Sequence, residues 1–585
     1  MFKTFQRLYP FLYRHRFRYI LGIMWIFLAD VMQMFMPKVL GKLIDDLGSG
    51  ALSDHTLIYG LFIILGTALL TVLFRYLWRM YIFGTARTLE YELRNMLFSH
   101  LLTLSPNWYN HRKVGDLMAH ATNDIGAVRF AFGGGVVMFF DTLILVTMTL
   151  LVMITTISLK LTLIAIIPLP LIAIISQHFG RQIHHRFREA QAAFSNLSER
   201  VQENISGARV VRAFVQETAE INKFNEASHH VLEKNAQLIR VQSIFQPVIQ
   251  LFVGLSMLIV LIVGGSMVIN GHITVGDFVA FTAYLGMLVW PMRAIGWVIN
   301  ILQRGAASMD RLNHLFEQTP DILDGPDTDW TIRSITGQVE IKGLTFTYPG
   351  QNRPALKDIH LTVPAGHTVG IIGKTGSGKT TLVSLLARLY EAPPGTIWID
   401  GHPLNRIPLT VLRNAIGFVP QDHILFSMSI YDNIAFGVEH TSLEAVEQAA
   451  RMASIHTSIM AFPDGYQTMV GERGVTLSGG QKQRISIARA LLKHPAILIL
   501  DDALSAVDAH TEKEILKNLK QDSTPRTTWI ITHRTSAVEH ADEIIVLDQG
   551  RIVERGRHHE LIALGGVYAR MVEEQSLRGR LEAIL

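Results

Sequence analysis

Two regimes of patterning divide the chain. In the first half, apolar positions run in long blocks at 19–40, 57–83, 130–157, 161–178, 244–269 and 278–302. Each reaches about the 17–25 residues a helix needs to cross hydrocarbon, so the pattern predicts six transmembrane helices. The breaks between blocks are unequal. The turn at 158–160 is very short, whereas 84–129 and 179–243 are long and polar, which predicts helices continuing beyond the membrane. In the second half the apolar runs shorten to strand length, as at 368–372 and 497–500. They are interleaved with helical stretches such as 381–389 and 482–492, the pattern of an α/β domain.

Basic residues give the spans an orientation. Lys3, Arg7, Arg14, Arg16 and Arg18 precede the first block, whereas the loop after it sets Asp45, Asp46 and Asp54 against Lys42. Arg87, Arg94, Arg112 and Lys113 follow the second block, only Lys160 follows the third, Arg and Lys are frequent from Arg181 to Arg240, and 270–277 has neither. By the positive-inside rule both termini are expected in the cytoplasm. Residues 1–18 are basic and free of acid, a bias shared with transit peptides, but they lack a small-residue cleavage site and run straight into a span. They are expected to form an amphipathic helix at the inner leaflet, with Phe2, Phe5, Leu8 and Phe11 facing lipid.

Composition agrees with a membrane protein. The 585 residues are 49% hydrophobic and 17% charged, with a mean hydropathy of +0.27. A net charge of +4 gives no case for nucleic acid, and the absence of cysteine excludes disulfides, thiolate metal sites and a cysteine nucleophile. Asp30, Arg75, Arg79, Asp141 and Arg293 fall within the apolar blocks. Ionisable groups at that depth are costly and either pair with one another or mark function. Pro168, Pro170 and Pro291 predict broken helices in the fourth and sixth spans. The expected domains are 1–18, the membrane region 19–303, a Pro- and Asp-rich linker 304–336, a nucleotide-binding domain 337–575 and a tail 576–585.

The chemistry lies in the second half. Residues 373–380 read GKTGSGKT, the pattern of a phosphate loop whose amides wrap phosphate oxygens, placed between a strand and a helix as that motif requires. Gly373, Lys374, Thr375, Gly376, Ser377, Gly378, Lys379, Thr380 and Thr381 are therefore expected to hold nucleotide phosphates, with Thr380 also on Mg²⁺. About a hundred residues later Leu477 is followed by Ser478, Gly479, Gly480 and Gln481. This LSGGQ run resembles the signature of ATP-binding-cassette (ABC) proteins, and the resemblance extends in register from Gly337 to Gln575.

That resemblance implies ATP and Mg²⁺ as cofactors and assigns further residues. Tyr348 stands where the family stacks a ring on adenine, Gln421 where a glutamine reaches Mg²⁺ and the attacking water, and Asp501 where a carboxylate holds the metal. Residues 505–508 (SAVD) match the loop that crosses to the other subunit, and His533 matches the histidine on the γ-phosphate. The runs 115–124 and 199–217 resemble the intracellular loops of ABC exporters, which carry the membrane domain onto the ATPase. The lack of cysteine separates the chain from peptide exporters with a cysteine protease domain.

One position departs from the family. Fully active members have glutamate after the metal aspartate, and this chain has Asp502, one methylene shorter. A misplacement of about 1 Å can cost on the order of a hundredfold in rate, although a backbone shift could still let Asp502 act as base. Family sites form between two chains, the phosphate loop of one facing the signature of the other. The pattern thus resembles the degenerate-site half of a heterodimeric, multidrug-type bacterial exporter, with a second ABC half as partner and a hydrophobic or amphipathic substrate. A lipid flippase and an ATP-gated channel or regulator are the alternatives.

Overall fold

The computed structural model describes residues 3–471, 477–522 and 524–584, and of Lys3, Ala173 and 578–584 the backbone alone. Phe2 lies outside the described residues. Two compact units are present: residues up to Leu102 with Lys113–Gln318, and Thr103–Arg112 with Thr319 onward.

Among its described residues the first unit is built of helices and turns, without a strand. After a 3-10 turn at Lys3–Leu8 come α1 (Tyr9–Arg14), α2 (Arg16–Gly48) and α3 (Asp54–Thr103). The short α4 (Pro106–Asn110) falls in the other unit. The first unit then continues with α5 (Val114–Ile157), α6 (Leu159–Ile166), α7 (Leu169–Ser206), α8 (Glu217–Ile269) and α9 (Val275–Phe316). Among the described residues six helical stretches are long and apolar enough to cross a membrane, with α6 and α7 together forming one of them. Along α3 the large side chains Tyr59, Phe62, Leu65, Leu69 and Val72 are exposed on the protein. Such a face is stable in lipid, where the backbone bonds of a helix are all internal. Met153, Leu161, Leu169, Val260, Phe281 and Leu288 pack the interior between α5 to α9. Tyr284 in α9 donates its hydroxyl to the Met34 carbonyl of α2 at 2.7 Å.

Two expectations for this unit need correction. Residues 3–14 do not turn their apolar face to lipid. Leu8 and Phe11 are 2% and 6% exposed, and Phe5 meets Phe132 edge to face with ring centres 5.2 Å apart. The Asn313 amide also donates to the Thr4 carbonyl, and the Arg7 guanidinium lies over the Phe316 ring. The nearby apolar surface of the bundle covers this face, leaving Tyr9, Tyr13 and Phe17 outside. Pro291 sits inside an uninterrupted α9, while only Pro168 and Pro170 accompany a real break, between α6 and α7. Packing of α9 against its neighbours offsets the one hydrogen bond a proline removes. As to the two alternatives for the charges within the spans, no ion pair joins Asp30, Arg75 and Asp141 among the described residues. Arg75 donates to Gln33 at 3.0 Å, and the buried Asp30 Oδ2 has no hydrogen-bond partner.

The second unit has two sheets. β1 (Val339–Phe346), β2 (Leu356–Val363), β4 (Ile397–Ile399) and β5 (His402–Pro403) form an antiparallel sheet in the order β2-β1-β4-β5. The larger sheet runs β10-β9-β3-β8-β7-β6, from β3 (Thr368–Ile372), β6 (Ile416–Val419), β7 (Ile497–Asp501), β8 (Thr527–Thr532), β9 (Glu543–Asp548) and β10 (Arg551–Gly556). All its pairings are parallel except the edge pair β9 and β10. β7 is buried at every position, and its unbroken apolar run Ile497–Leu500 is that of a strand covered on both faces. Trp529 of β8 is fully buried, and Trp529→Ala should cost about 3–5 kcal/mol in the unfolding of this unit. A Trp529→Phe variant should cost far less, because the indole N–H has no partner to lose.

The segment 304–336 is helical up to Phe316 and irregular beyond it. Its later part is pinned to the second unit. Ile332 and Ile335 enter that unit's core, the Arg388 guanidinium donates to the Leu323 carbonyl, and the Leu409 N–H donates to Asp324.

Candidate nucleotide site

Parallel strands bring the sequence-predicted residues to one edge. The phosphate loop leaves the C-terminal end of β3, Asp501 ends β7, His533 follows β8, and Gln421 lies two residues past Val419 of β6, which is in register with Leu500. Ligands of open α/β sheets bind outside these carboxyl ends.

The loop is shaped by glycine where nothing else fits. Gly378 has φ +102°, and a Cβ there would stand 2.8 Å from the Ala355 carbonyl oxygen. It leads into α10 (Lys379–Leu386), so the first amides of that helix are available to an anion. Lys379 folds back over the loop, its Nζ donating to the carbonyls of Gly373 at 2.8 Å and Lys374 at 2.9 Å. Burial pushes the Lys379 amine down, against the opposing pull of Asp501 and Asp502. The Ser377 hydroxyl is buried without a hydrogen-bond partner, an orphaned donor inside the loop that a phosphate oxygen would satisfy.

Asp501 is 2% exposed, and the Thr380 hydroxyl donates to its Oδ1 at 3.2 Å. Burial, and then the neighbouring Asp502, push its carboxyl up, while the Thr380 hydrogen bond pulls it down. A buried carboxylate beside a hydroxyl, with a second acid next to it, is a hard-oxygen set suited to Mg²⁺. Asp502 has φ +51°, a left-handed conformation that aspartate tolerates better than most residues. Its N–H donates to the Ile531 carbonyl at 2.8 Å, and its Oδ1 lies 3.1 Å from His533 Nδ1. The carboxylate is thus drawn towards the histidine, which Gln575 holds from behind by donating to the His533 carbonyl at 2.6 Å. Gln421 is exposed.

The signature run begins α11 (Gly479–Leu492). Ser478 caps it, accepting from Gln481 N–H at 3.3 Å, while the Gln481 side chain accepts from Ser478 N–H at 3.0 Å. This reciprocal cap explains the S-x-x-Q spacing locally. A Cβ on Gly480 would lie 2.7 Å from the Ala506 carbonyl oxygen, so loop 505–508 and the signature helix fit only through a glycine. Gln483 fastens the two, accepting from Ala506 N–H at 2.9 Å and donating to the Ser505 hydroxyl at 3.1 Å. Among the described residues no hydrogen bond links 478–481 to the phosphate loop, so the signature is a separate patch on this chain. α12 (Ala509–Gln521) follows, capped by Asp508.

Tyr348 joins an aromatic cluster beside the loop. Its hydroxyl donates to Thr381 at 2.9 Å, and its ring meets Phe346 and Tyr390 edge to face, each at 5.1 Å. Two features of this region escaped the sequence reading. Tyr390 carries no motif. The segment 103–112, read only as cytoplasmic connection, belongs to the ATPase unit through Ser105, which donates to Asp321 at 2.6 Å, and through Asn110, whose amide donates to the Tyr390 hydroxyl at 2.8 Å. Pro106 in SPNWYN, after a serine in the N-cap position, was the available sign of a helix start there.

Comparison with known proteins accords with this geometry. The family model for the ABC transporter transmembrane region matches residues 19–292, and that for the ABC transporter matches 356–505. The chain is 45% identical over 579 residues to YheI of Bacillus subtilis, a probable multidrug resistance ABC transporter ATP-binding/permease protein, covering 99% of this chain and 98% of the relative. It is 38% identical over 565 residues to the multidrug resistance-like ATP-binding protein MdlA of Escherichia coli, covering 97% and 95% respectively. Among solved structures, a bacterial Atm1-family ABC exporter with ATP bound superposes with a TM-score of 0.75 at 28% identity, covering 96% of this chain and 98% of that one.

Proposed function

This chain belongs to the ABC transporter family, and we propose that within it the chain is one half of a heterodimeric exporter and carries the weaker of two ATP sites. The family places six membrane-spanning helices and an ATPase of the multidrug-resistance-like exporter type on one polypeptide. The cargo is a hydrophobic or amphipathic compound taken from the cytoplasm or inner leaflet, and both termini lie in the cytoplasm, as the basic loops indicate. Of the alternatives, a flippase would move labelled lipid in vesicles and a channel would conduct.

The observation that carries this reading is an intact signature helix on the same chain as an aspartate at 502 held by His533. The loop amides, Lys379 and Ser377 would hold the ATP phosphates, with Tyr348 against adenine. Thr380, Asp501 and Gln421 would hold Mg²⁺, which when bound would neutralise charge developing on the phosphates. Asp502 would bind or orient water poorly, since its short carboxylate is engaged by the histidine. The 478–481 patch, with Ser478 and the first amides of α11, would complete the partner's site. ATP binding then draws the two ATPases together, and hydrolysis, mainly at the partner's site, separates them.

Expression tests the assembly. Purified alone, the chain should show little ATPase; co-expressed with its partner half, it should co-purify in equal amount and turn over ATP. Turnover by the single chain comparable to glutamate-bearing homodimers would overturn the reading.

A further inference from the structure

The Tyr348 ring is tied to residues distant in sequence but in the same unit. Tyr348 donates to Thr381 at 2.9 Å, so its ring is fixed at one end to the helix of the phosphate loop. At the other end the Tyr390 ring meets it edge to face, centres 5.1 Å apart and planes at 86°. The Tyr390 hydroxyl in turn accepts from the Asn110 amide at 2.8 Å, across 280 positions of sequence. Burial, then the neighbouring Tyr348, push the Tyr390 phenol up, against the opposing pull of the Asn110 hydrogen bond. Asn110 ends α4, whose start is held to the same unit by Ser105 and Asp321. α4 has only the short stretches 104–105 and 111–113 between it and the long helices α3 and α5.

We infer that Tyr390 is a positioning residue that sets the Tyr348 ring for adenine, and that Asn110 in turn fixes Tyr390. The inference rests on the reading of Tyr348 as the adenine platform. An edge-to-face pair has a preferred geometry and is worth about 0.5–1.5 kcal/mol beyond its buried area. A ring turned to stack on a base therefore changes what Tyr390 meets, and Tyr390 cannot turn without disturbing its bond to Asn110. Loss of one such hydrogen bond corresponds to roughly a two- to tenfold change in affinity.

The test uses the purified full-length chain, with unlabelled ATP and tripolyphosphate each competing against a fluorescent ATP analogue. Tyr390→Phe keeps the ring and removes the hydroxyl; Asn110→Ala removes the donor. Each should weaken ATP about two- to tenfold, the double variant should match either single, and tripolyphosphate, having no base, should be unaffected in all three. Additive losses, equal losses for tripolyphosphate, or no loss of ATP binding would overturn the relay. Tyr348→Ala separates the two ideas. If it weakens ATP while the Tyr390 and Asn110 variants do not, the platform stands and the relay falls; if it leaves ATP binding unchanged, both fall.

Discussion

Gly480→Val is expected to lower ATP turnover of the assembled transporter by about a hundredfold or more, whereas Lys379→Ala should leave a substantial part of it. The valine side chain would drive into the Ala506 carbonyl, which stands 2.7 Å from the position of a Cβ on Gly480. It would push α11 from the loop that Gln483 fastens, and with it the amides that the proposed dimer would offer to the partner's γ-phosphate. Removing one preorganised donor to developing negative charge costs about 10²–10³ in rate in comparable sites. Ser478→Ala should cost less, since the amides remain and only the cap is lost, about 0.5–2 kcal/mol of helix stability. Lys379→Ala acts on this chain's own loop, where the amine bridges two carbonyls and would meet phosphate, so ATP binding there should be lost while the partner's site continues. Steady-state ATPase at matched expression and dimer yield decides the matter. Equal losses from Gly480→Val and Lys379→Ala would contradict the division of labour between the two sites.

Asp502→Asn should change turnover of the heterodimer only a few-fold, while Glu→Gln at the partner's corresponding position should lower it about a hundredfold, within the about 10²–10⁴ that a positioned general base supplies. In this chain the Asp502 carboxylate lies 3.1 Å from His533, and its backbone is fixed by a 2.8 Å bond to Ile531. On the proposed reading, the shorter side chain on this backbone falls short of the water that a glutamate would activate. Asp502→Glu is the sharper experiment: with the partner's glutamate already changed to Gln, it should restore measurable hydrolysis. If Asp502→Asn alone abolishes turnover, the aspartate is a working base and the two sites are not unequal in the way proposed.

Much of this protein could be read without coordinates, and the reasons are local. A span needs only a long enough apolar run, so the six helical stretches were visible as blocks of composition. The phosphate loop, the signature cap and β7 are likewise dictated within a few residues: Gly378 by its left-handed turn, Ser478 and Gln481 by a cap closed over three positions, and the 497–501 strand by burial on both faces. The departure at 502 was also visible, since one methylene is a property of the residue itself.

What the tertiary structure decided depends on partners distant in sequence. Leu8 and Phe11 read as lipid-facing because an apolar stripe does not say what covers it; burial against the helical bundle does. Pro291 read as a break because the lost hydrogen bond is local, whereas the packing that keeps α9 continuous is not. Residues 103–112 read as part of a polar connection. Their membership of the ATPase unit hangs on the bonds of Ser105 to Asp321 and Asn110 to Tyr390, 216 and 280 positions away. The sequence by itself determined the six apolar helical stretches, the α/β pattern that follows them and the residue types the loops carry, because periodicity, capping and side-chain type act over a few residues. Only the tertiary structure decided which faces are covered, how Asp502 is held by His533, and that Tyr348 is held between Thr381 and Tyr390, because those contacts exist only once distant segments have packed.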